Sequence, residues 1–425
     1  MHYCLVKQKD GVTMRVGLQF ALSDATVDAM QATNQRQLSV SIAAIADEPQ
    51  SSAPLNLSLI LDHSGSMSGR PMETVREAAQ RLIDRLSLGD RISIIGFDHK
   101  AKVILPSQEL DNPASVKLQL NQLKAHGGTA IDEGLRLGIE ELAKAKQGTI
   151  SQAFLLTDGE NEHGDNDRCL NLAKLAADYN LTINTLGFGD SWNQDMLERI
   201  ADVGGGTMSY IHSPEQAVAE FGRLFNRLQS VGLTNGYLVI TLPDGVRLAA
   251  TKPIAQVAPD TIELPVMREG HELIVRLGDL MVDSPRVVLI NLYLEQMAVG
   301  PHAIAQLQVR YDDPATDTAG LKSETVSVYA ESIHNFHPNP DPQVQQHVLA
   351  LAKYRQTQIA ETKIKQGDMG GAVTMLQTAA QTALQMGDQE AATVLQNTAT
   401  RLQTGQELTE RDRKQTRMVS KTTLQ

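Results

Sequence analysis

The stretch at residues 55–70, LNLSLILDHSGSMSGR, decides how the chain is read. Its apolar run (Leu55, Leu57, Leu59, Ile60, Leu61) suits a strand buried on both faces of a sheet. The run ends in an acid and continues with hydroxyls at spacings of two, Asp62-x-Ser64-x-Ser66, in a loop loosened by Gly65 and Gly69. Open parallel sheets keep their working residues in loops at the carboxyl ends of strands. Asp and Ser there offer hard oxygen donors, the kind that Mg2+ or Mn2+ takes. By itself such a pentad is more often an ordinary glycine turn.

The rest of the chain separates these readings. Thr129 lies in HGGTAIDEGL, where Gly127 and Gly128 make a sharp entry into a helix. Asp158 lies in FLLTDGENE, directly after a second buried strand at 153–157. Asp62, Ser64, Ser66, Thr129 and Asp158 therefore sit, in that order, in three loops at strand ends or helix starts. This combination resembles the von Willebrand factor type A (VWA) domain and its metal-ion-dependent adhesion site, over roughly residues 53–230.

The resemblance implies an α/β fold with a doubly wound, mostly parallel, Rossmann-like sheet. It implies one Mg2+ (or Mn2+) per chain, touched by the hydroxyls of Ser64, Ser66 and Thr129. Asp62 and Asp158 would act mainly through metal-bound waters. A dication held by neutral hydroxyls keeps most of its field, so the expected guest is an Asp or Glu carboxylate of a protein partner. In function the expectation is a non-enzymatic protein-interaction module like those of bacterial intracellular VWA proteins.

Composition narrows the partners. At 425 residues the chain is long enough for two or three domains. A net charge of -12 and only 4% aromatic residues count against nucleic acid, which calls for basic faces. Cys4 and Cys169 are too few and too distant for a disulfide framework, so both are expected to be reduced. The N-terminus lacks an apolar core of signal-peptide length, and there is no apolar run of about 20 residues. No membrane span and a cytoplasmic location are expected.

In chain order, residues 12–20 and 37–44 alternate as strands, with a polar, loop-like segment at 23–36 between them and a linker at 49–54. Helices are expected at 71–86, 113–123, 129–145, 168–179, 193–202 and 214–228, and strands at 91–97, 101–105, 181–187 and 207–211. The strand at 101–105 is expected to be an antiparallel edge. After Gly232 the pattern is all-β, with six candidate strands between 237 and 330. Two or three N-terminal strands cannot bury a face alone. A discontinuous β-sandwich of 1–50 with 232–332, with the VWA domain at 51–231 inserted, is therefore expected. Residues 341–404 read as a helical hairpin or three-helix unit punctuated by Gly367-Asp368 and Gly387-Asp388. The tail at 405–425 is basic and hydroxyl-rich, read as a solvated end or a docking strand at 418–424.

Several features have blander readings. His63 either reaches the surface or is a spacer pointing away from the metal. The loop ENEHGDND at 160–167 is a solvated acidic rim or a filter on partner choice, without EF-hand spacing. The Gly204–Thr207 run is a turn, since no helix or Lys follows as in a P-loop. The apolar stripe at 218–228 is core. Two other functions compete: an assembly cofactor of an AAA+ ATPase acting through the C-terminal helices, and a Mg2+-dependent phosphatase using Asp62 as phosphoryl acceptor. The second is weakened because Ser64 occupies the position where a dehalogenase-like enzyme has its general acid, and there is no nucleophile elbow.

Overall fold

The computed structural model describes residues 14–46, 53–189, 191–211, 214–282 and 284–422. Cys4, the start of the alternation at 12–20, most of the linker at 49–54 and the end of the 418–424 segment lie outside the described residues. Strand Leu55–Asp62 is buried at every position because it is paired on both sides. The six-stranded sheet around it runs Ala101–Glu109, Arg91–Phe97, Leu55–Asp62, Ile150–Thr157, Thr182–Phe188, Gly205–Ile211. All neighbours are parallel except the Ala101–Glu109 hairpin edge.

Side chains alternate across the sheet. Leu57, Leu59 and Leu61 meet Val75, Leu82, Phe221 and Phe225 of helices Arg70–Ile83 and Pro214–Gln229. Ile60 faces the other way, into Leu135, Ile139, Leu197 and Ile200 of helices Ile131–Ala143 and Gln194–Gly204. Helices thus cover both faces, and the carboxyl ends of the parallel strands emerge on one edge. Cys169 is free and buried among the second set.

Two further sheets, antiparallel but for one pair, share a single apolar cluster that joins Leu38, Val40 and Ile42 to Leu238, Ile240, Val275 and Val309. In one, Thr33–Ile45 lies between Arg15–Leu22 and Arg286–Glu295. In the other, Val231–Thr241 lies between Glu272–Met281 and Gly300–Asp313. Residues 23–36 are more ordered than a loop. Thr26–Asp28 adds to Val326–Ile333, and Thr33 already starts the long strand. Polar residues serve there because Asp24 accepts the Thr26 N–H and hydroxyl at 2.9 and 2.8 Å. Val246–Leu248 and Met267–Glu269 are too short to show a period.

The C-terminal helices are Pro342–Lys365, Met369–Gln385, Gln389–Gln403 and Glu410–Lys421. The Gly-Asp pairs work as stop and start. Gly367 and Gly387 adopt φ of 79° and 80°, while Asp368 and Asp388 cap the next helix by accepting Gly371 N–H at 2.8 Å and Ala391 N–H at 2.9 Å.

The tail is the main correction. Instead of a solvated end it forms Glu410–Lys421 behind a Thr409/Asp412 capping box, with Lys414, Thr416 and Ser420 buried; of the expected docking strand the described residues show a single antiparallel bridge, Thr422 to Asp260. Charge rather than an apolar stripe holds it down. Arg417 Nε reaches Glu198 Oε2 at 2.6 Å and its guanidinium also pairs with Asp195, while Lys421 Nζ lies 3.3 Å from Asp202. Lys414 stands over the Trp192 ring at 4.0 Å. The same unit meets the antiparallel sheets through Val344 and Leu351 against Val257 and Leu289, and through Arg355 Nε to Glu263 at 2.8 Å. Among the described residues no helix is long and apolar enough to cross a membrane.

Burial pushes the Glu198 carboxyl up, and Lys421 and Arg417 hold it down. Removing the guanidinium strands that charge. Arg417→Met is expected to destabilise the protein by about 3 kcal/mol, read by denaturant unfolding. Adding Glu198→Gln should recover part of the loss; an Arg417→Met variant as stable as wild type would show that the pair does not anchor the helix.

Candidate metal centre

The strand end fixes Asp62, which is fully buried. Its Oδ1 accepts the Ser64 N–H at 2.7 Å and its Oδ2 the Thr157 hydroxyl at 2.5 Å. From Ser64 a chain of oxygens runs outward: Ser64 Oγ to Ser66 Oγ is 3.0 Å, and Ser66 donates to Asp158 Oδ1 at 2.7 Å. Thr129 hydrogen-bonds to none of the other four among the described residues, but its hydroxyl lies beside Gly159, where an added methyl carbon would sit 3.3 Å away. The structure therefore joins Asp62, Ser64, Ser66 and Asp158 directly and sets Thr129 against the Asp158 loop. Asp62, Ser64 and Thr129 are buried while Ser66 is exposed, which opens the cluster at Ser66.

Backbone bonds lace the loops together. Gly65 N–H donates to Gly127 O at 3.0 Å, and His163 N–H donates to Thr129 O at 2.9 Å. Gly127 needs to be glycine. Its φ is 76°, and a Cβ there would fall 2.6 Å from His99 Nδ1.

Electrostatics distinguish this cluster from an ordinary turn. Burial pushes Asp62 up to about 6, with the Asp158 charge adding to the rise, against the hydrogen bonds from Thr157 and Ser64. Burial raises Asp158 as well. Among the described residues no lysine or arginine hydrogen-bonds either carboxylate. The donors are all oxygen, three hydroxyls and two acids, which fits a hard dication and would supply the missing positive charge.

Some contributors were hidden in the sequence. Thr157 reads only as the last residue of a strand, yet it is the hydroxyl that orients Asp62. The acidic loop is partly structural: Asn161 Oδ1 accepts Ile131 N–H at 2.7 Å, and Asp165 caps helix Asn166–Asp178. His63 does not reach the surface; it is buried with one ring edge against Gly96. At Gly204–Thr207 the expected turn is a direct junction: Gly205, at φ of 75°, ends helix Gln194–Gly204 and opens strand Gly205–Ile211.

With this geometry in hand, comparison with known proteins places the chain. The model of the von Willebrand factor type A domain matches residues 56–223, a family whose domains commonly mediate metal-dependent protein interactions. A second family model, the Sll0103-like, C-terminal alpha-helical domain, matches residues 342–425, including the helix that replaced the expected tail. The chain is 56% identical over 412 residues to "Uncharacterized protein sll0103" of Synechocystis sp., covering 97% of this chain and 98% of that protein. It belongs to the Sll0103-like family of VWA proteins.

Among solved structures, the von Willebrand factor type A protein from Catenulispora acidiphila superposes with a TM-score of 0.82 at 18% identity, covering 99% of both chains. The ArnB paralog VWA2 from Sulfolobus acidocaldarius follows with a TM-score of 0.57 at 17% identity, covering 96% of this chain and 98% of its own. At these identities the likeness concerns the fold alone.

The raised Asp62 sets a pH dependence. Below about pH 6 its carboxyl holds a proton that a cation must displace. Apparent Mg2+ affinity is expected to be flat above that pH and to fall about tenfold per unit beneath it. Titration calorimetry at several pH values checks this; an affinity unchanged down to the ordinary Asp value of 3.8 would show that Asp62 does not take part.

Proposed function

We propose that this chain is a non-enzymatic, divalent-metal-dependent protein-binding module in which the metal captures an Asp or Glu carboxylate of a partner protein. The observation that supports it is a pair of buried carboxylates, Asp62 and Asp158, joined through Ser64 and Ser66 and matched by no basic side chain among the described residues. On this reading Ser64, Ser66 and Thr129 hold Mg2+ or Mn2+ directly, one per chain. Asp62 and Asp158 accept hydrogen bonds from its waters and from the hydroxyls, and so orient the donors.

Bound there, the ion supplies a concentrated positive charge at a position open to a partner's acid. Because the direct donors are neutral, little of that charge is cancelled within the protein. Ser66, the exposed member of the set, marks where the guest would enter. The acidic 160–167 loop follows Asp158 and meets Thr129 through the His163 N–H, and its charge would repel acids that do not reach the ion. Asp62 suits orientation better than nucleophilic attack. Both of its oxygens are engaged and it is shut off from solvent.

We further read the two sheets that share the Leu38–Val309 cluster as one β-sandwich, built from both sides of the VWA segment and carrying it. The C-terminal helices extend that platform, and their basic end is committed to Asp195, Glu198 and Asp202.

The test is capture from lysate with Mg2+ present and with chelator, using wild type, Thr129→Ala and Asp62→Ala. Partners that carry the function should drop at least about tenfold with chelator and with Thr129→Ala while circular dichroism stays unchanged. Binding that survives both treatments would remove the metal from the contact.

A further inference from the structure

The loops that carry the oxygen donors also assemble a second group of different chemistry. His63 lies between Asp62 and Ser64, Asp98 follows strand Arg91–Phe97, and His126 precedes Gly127. One ring nitrogen from each histidine and one carboxylate oxygen of Asp98 lie within 4.8 Å of one another. His63 and Asp98 are buried, at 2% and 4% exposure, whereas His126 faces solvent. The two imidazoles meet edge to face, with centroids 5.0 Å apart.

Ordinary loop packing explains part of this group. His126 Nδ1 lies 2.6 Å from Asp98 Oδ2, and Asp98 Oδ1 accepts the Lys100 N–H at 2.7 Å with His99 Nδ1 at 3.2 Å. Asp98 is thus held in place by its own hairpin. Packing does not explain His63, whose Nδ1 is buried without a hydrogen-bond partner. A buried polar atom left unpaired is costly, and His63 differs from the other unpaired buried atoms, such as Asp132 Oδ1 and Asp313 Oδ2, in having two further metal-type donors within 4.8 Å.

We propose that His63, Asp98 and His126 form a second metal site, for Zn2+ or a similar borderline ion, separate from the all-oxygen cluster. Two imidazoles and a carboxylate are a zinc-type donor set and a poor one for Mg2+. Donors around a tetrahedral Zn2+ stand about 3.3 Å apart. The His126–Asp98 pair, 2.6 Å apart, has to open by about 0.7 Å to admit the ion, and no separation in the group has to close by more than about 1.5 Å. Binding replaces the hydrogen between His126 and Asp98 by the ion. With three protein ligands the fourth position opens on the His126 side, toward solvent, and takes a water or an exogenous ligand.

The two sites share loops but not donors. Backbone bonds from His63 N–H to Phe97 O at 2.9 Å and from His126 N–H to His63 O at 2.8 Å tie the histidine cluster to the strand end that bears Asp62. A cation at the histidines would therefore clamp the same loop that presents Ser64 and Ser66.

Co2+ is the probe, added to the full-length, tag-free, chelator-stripped protein in saturating Mg2+. Wild type is expected to bind one equivalent with the strong visible bands of four-coordinate Co2+, displaced by Zn2+. The bands should persist in Ser66→Ala, which alters only the oxygen cluster. In His126→Ala, an exposed position whose loss spares the core, affinity should fall at least about 100-fold, beyond the 10- to 100-fold typical of an outer partner. Asp98→Asn should weaken binding likewise. Absence of four-coordinate bands in wild type, bands indifferent to His126→Ala, or bands lost with Ser66→Ala would each overturn the proposal. None of these outcomes depends on a protein partner, so they are read independently of the carboxylate-capture function.

Discussion

The central unit depends on holding the Asp62 carboxylate away from bulk solvent. Strand Leu55–Asp62 is pinned between Arg91–Phe97 and Ile150–Thr157, so its end cannot retreat from the sheet. The loop beyond it is tied down by backbone bonds to Phe97 and Gly127. Asp158, at the end of the neighbouring strand, faces the same space through Ser66. Burial raises the proton affinity of both acids, and the Asp158 charge adds to the rise at Asp62. The frame is too well paired to relieve this by spreading, so the cluster is left to take up a proton or a cation.

Two other buried acids in the chain are handled differently. Glu198 is as deeply buried, yet Arg417 and Lys421 compensate it from the C-terminal helix. Asp279 is enclosed where the VWA unit meets the antiparallel sheets. It accepts the Thr182 hydroxyl at 2.8 Å and the Gln152 amide at 2.5 Å, with the Arg286 charge also lowering its proton affinity. Both of these acids stabilise contacts between units, and both are answered by cations the chain itself supplies. Asp62 and Asp158 lack such a partner among the described residues. Asp90, also buried and without a cation among the described residues, is answered by the N–H groups of Leu55 and Ser87, whereas Asp62 and Asp158 are joined to each other through hydroxyls.

The central fold was legible because its signals are local. A continuous apolar run ending in Asp62, a glycine pair before Thr129 and a strand ending at Asp158 each survive without tertiary context. The two Gly-Asp pairs in the helical unit are equally readable, since φ near 80° and an N-cap are properties of a few adjacent residues. What escaped depends on partners far along the chain. The helix Glu410–Lys421 has little apolar stripe of its own, and its docking is written in Asp195, Glu198 and Asp202, more than 200 residues earlier. Thr157 gave no sign that its hydroxyl would turn toward Asp62. His63 looked like a spacer because nothing in DHSGSM shows that Asp98 and His126 come to meet it.

His63 also bears on how the loop at 62–66 is put to use. Successive residues there face different neighbours: Asp62 meets Thr157, His63 meets Gly96 and His126, and Ser64 meets Ser66. One short segment thus separates hard oxygen donors from imidazole nitrogens, and the two sets select different ions without competing. The backbone bonds from His63 to Phe97 and from His126 to His63 tie both sets to the same strand end. A rigid, doubly paired strand end is what allows so short a loop to serve two chemistries.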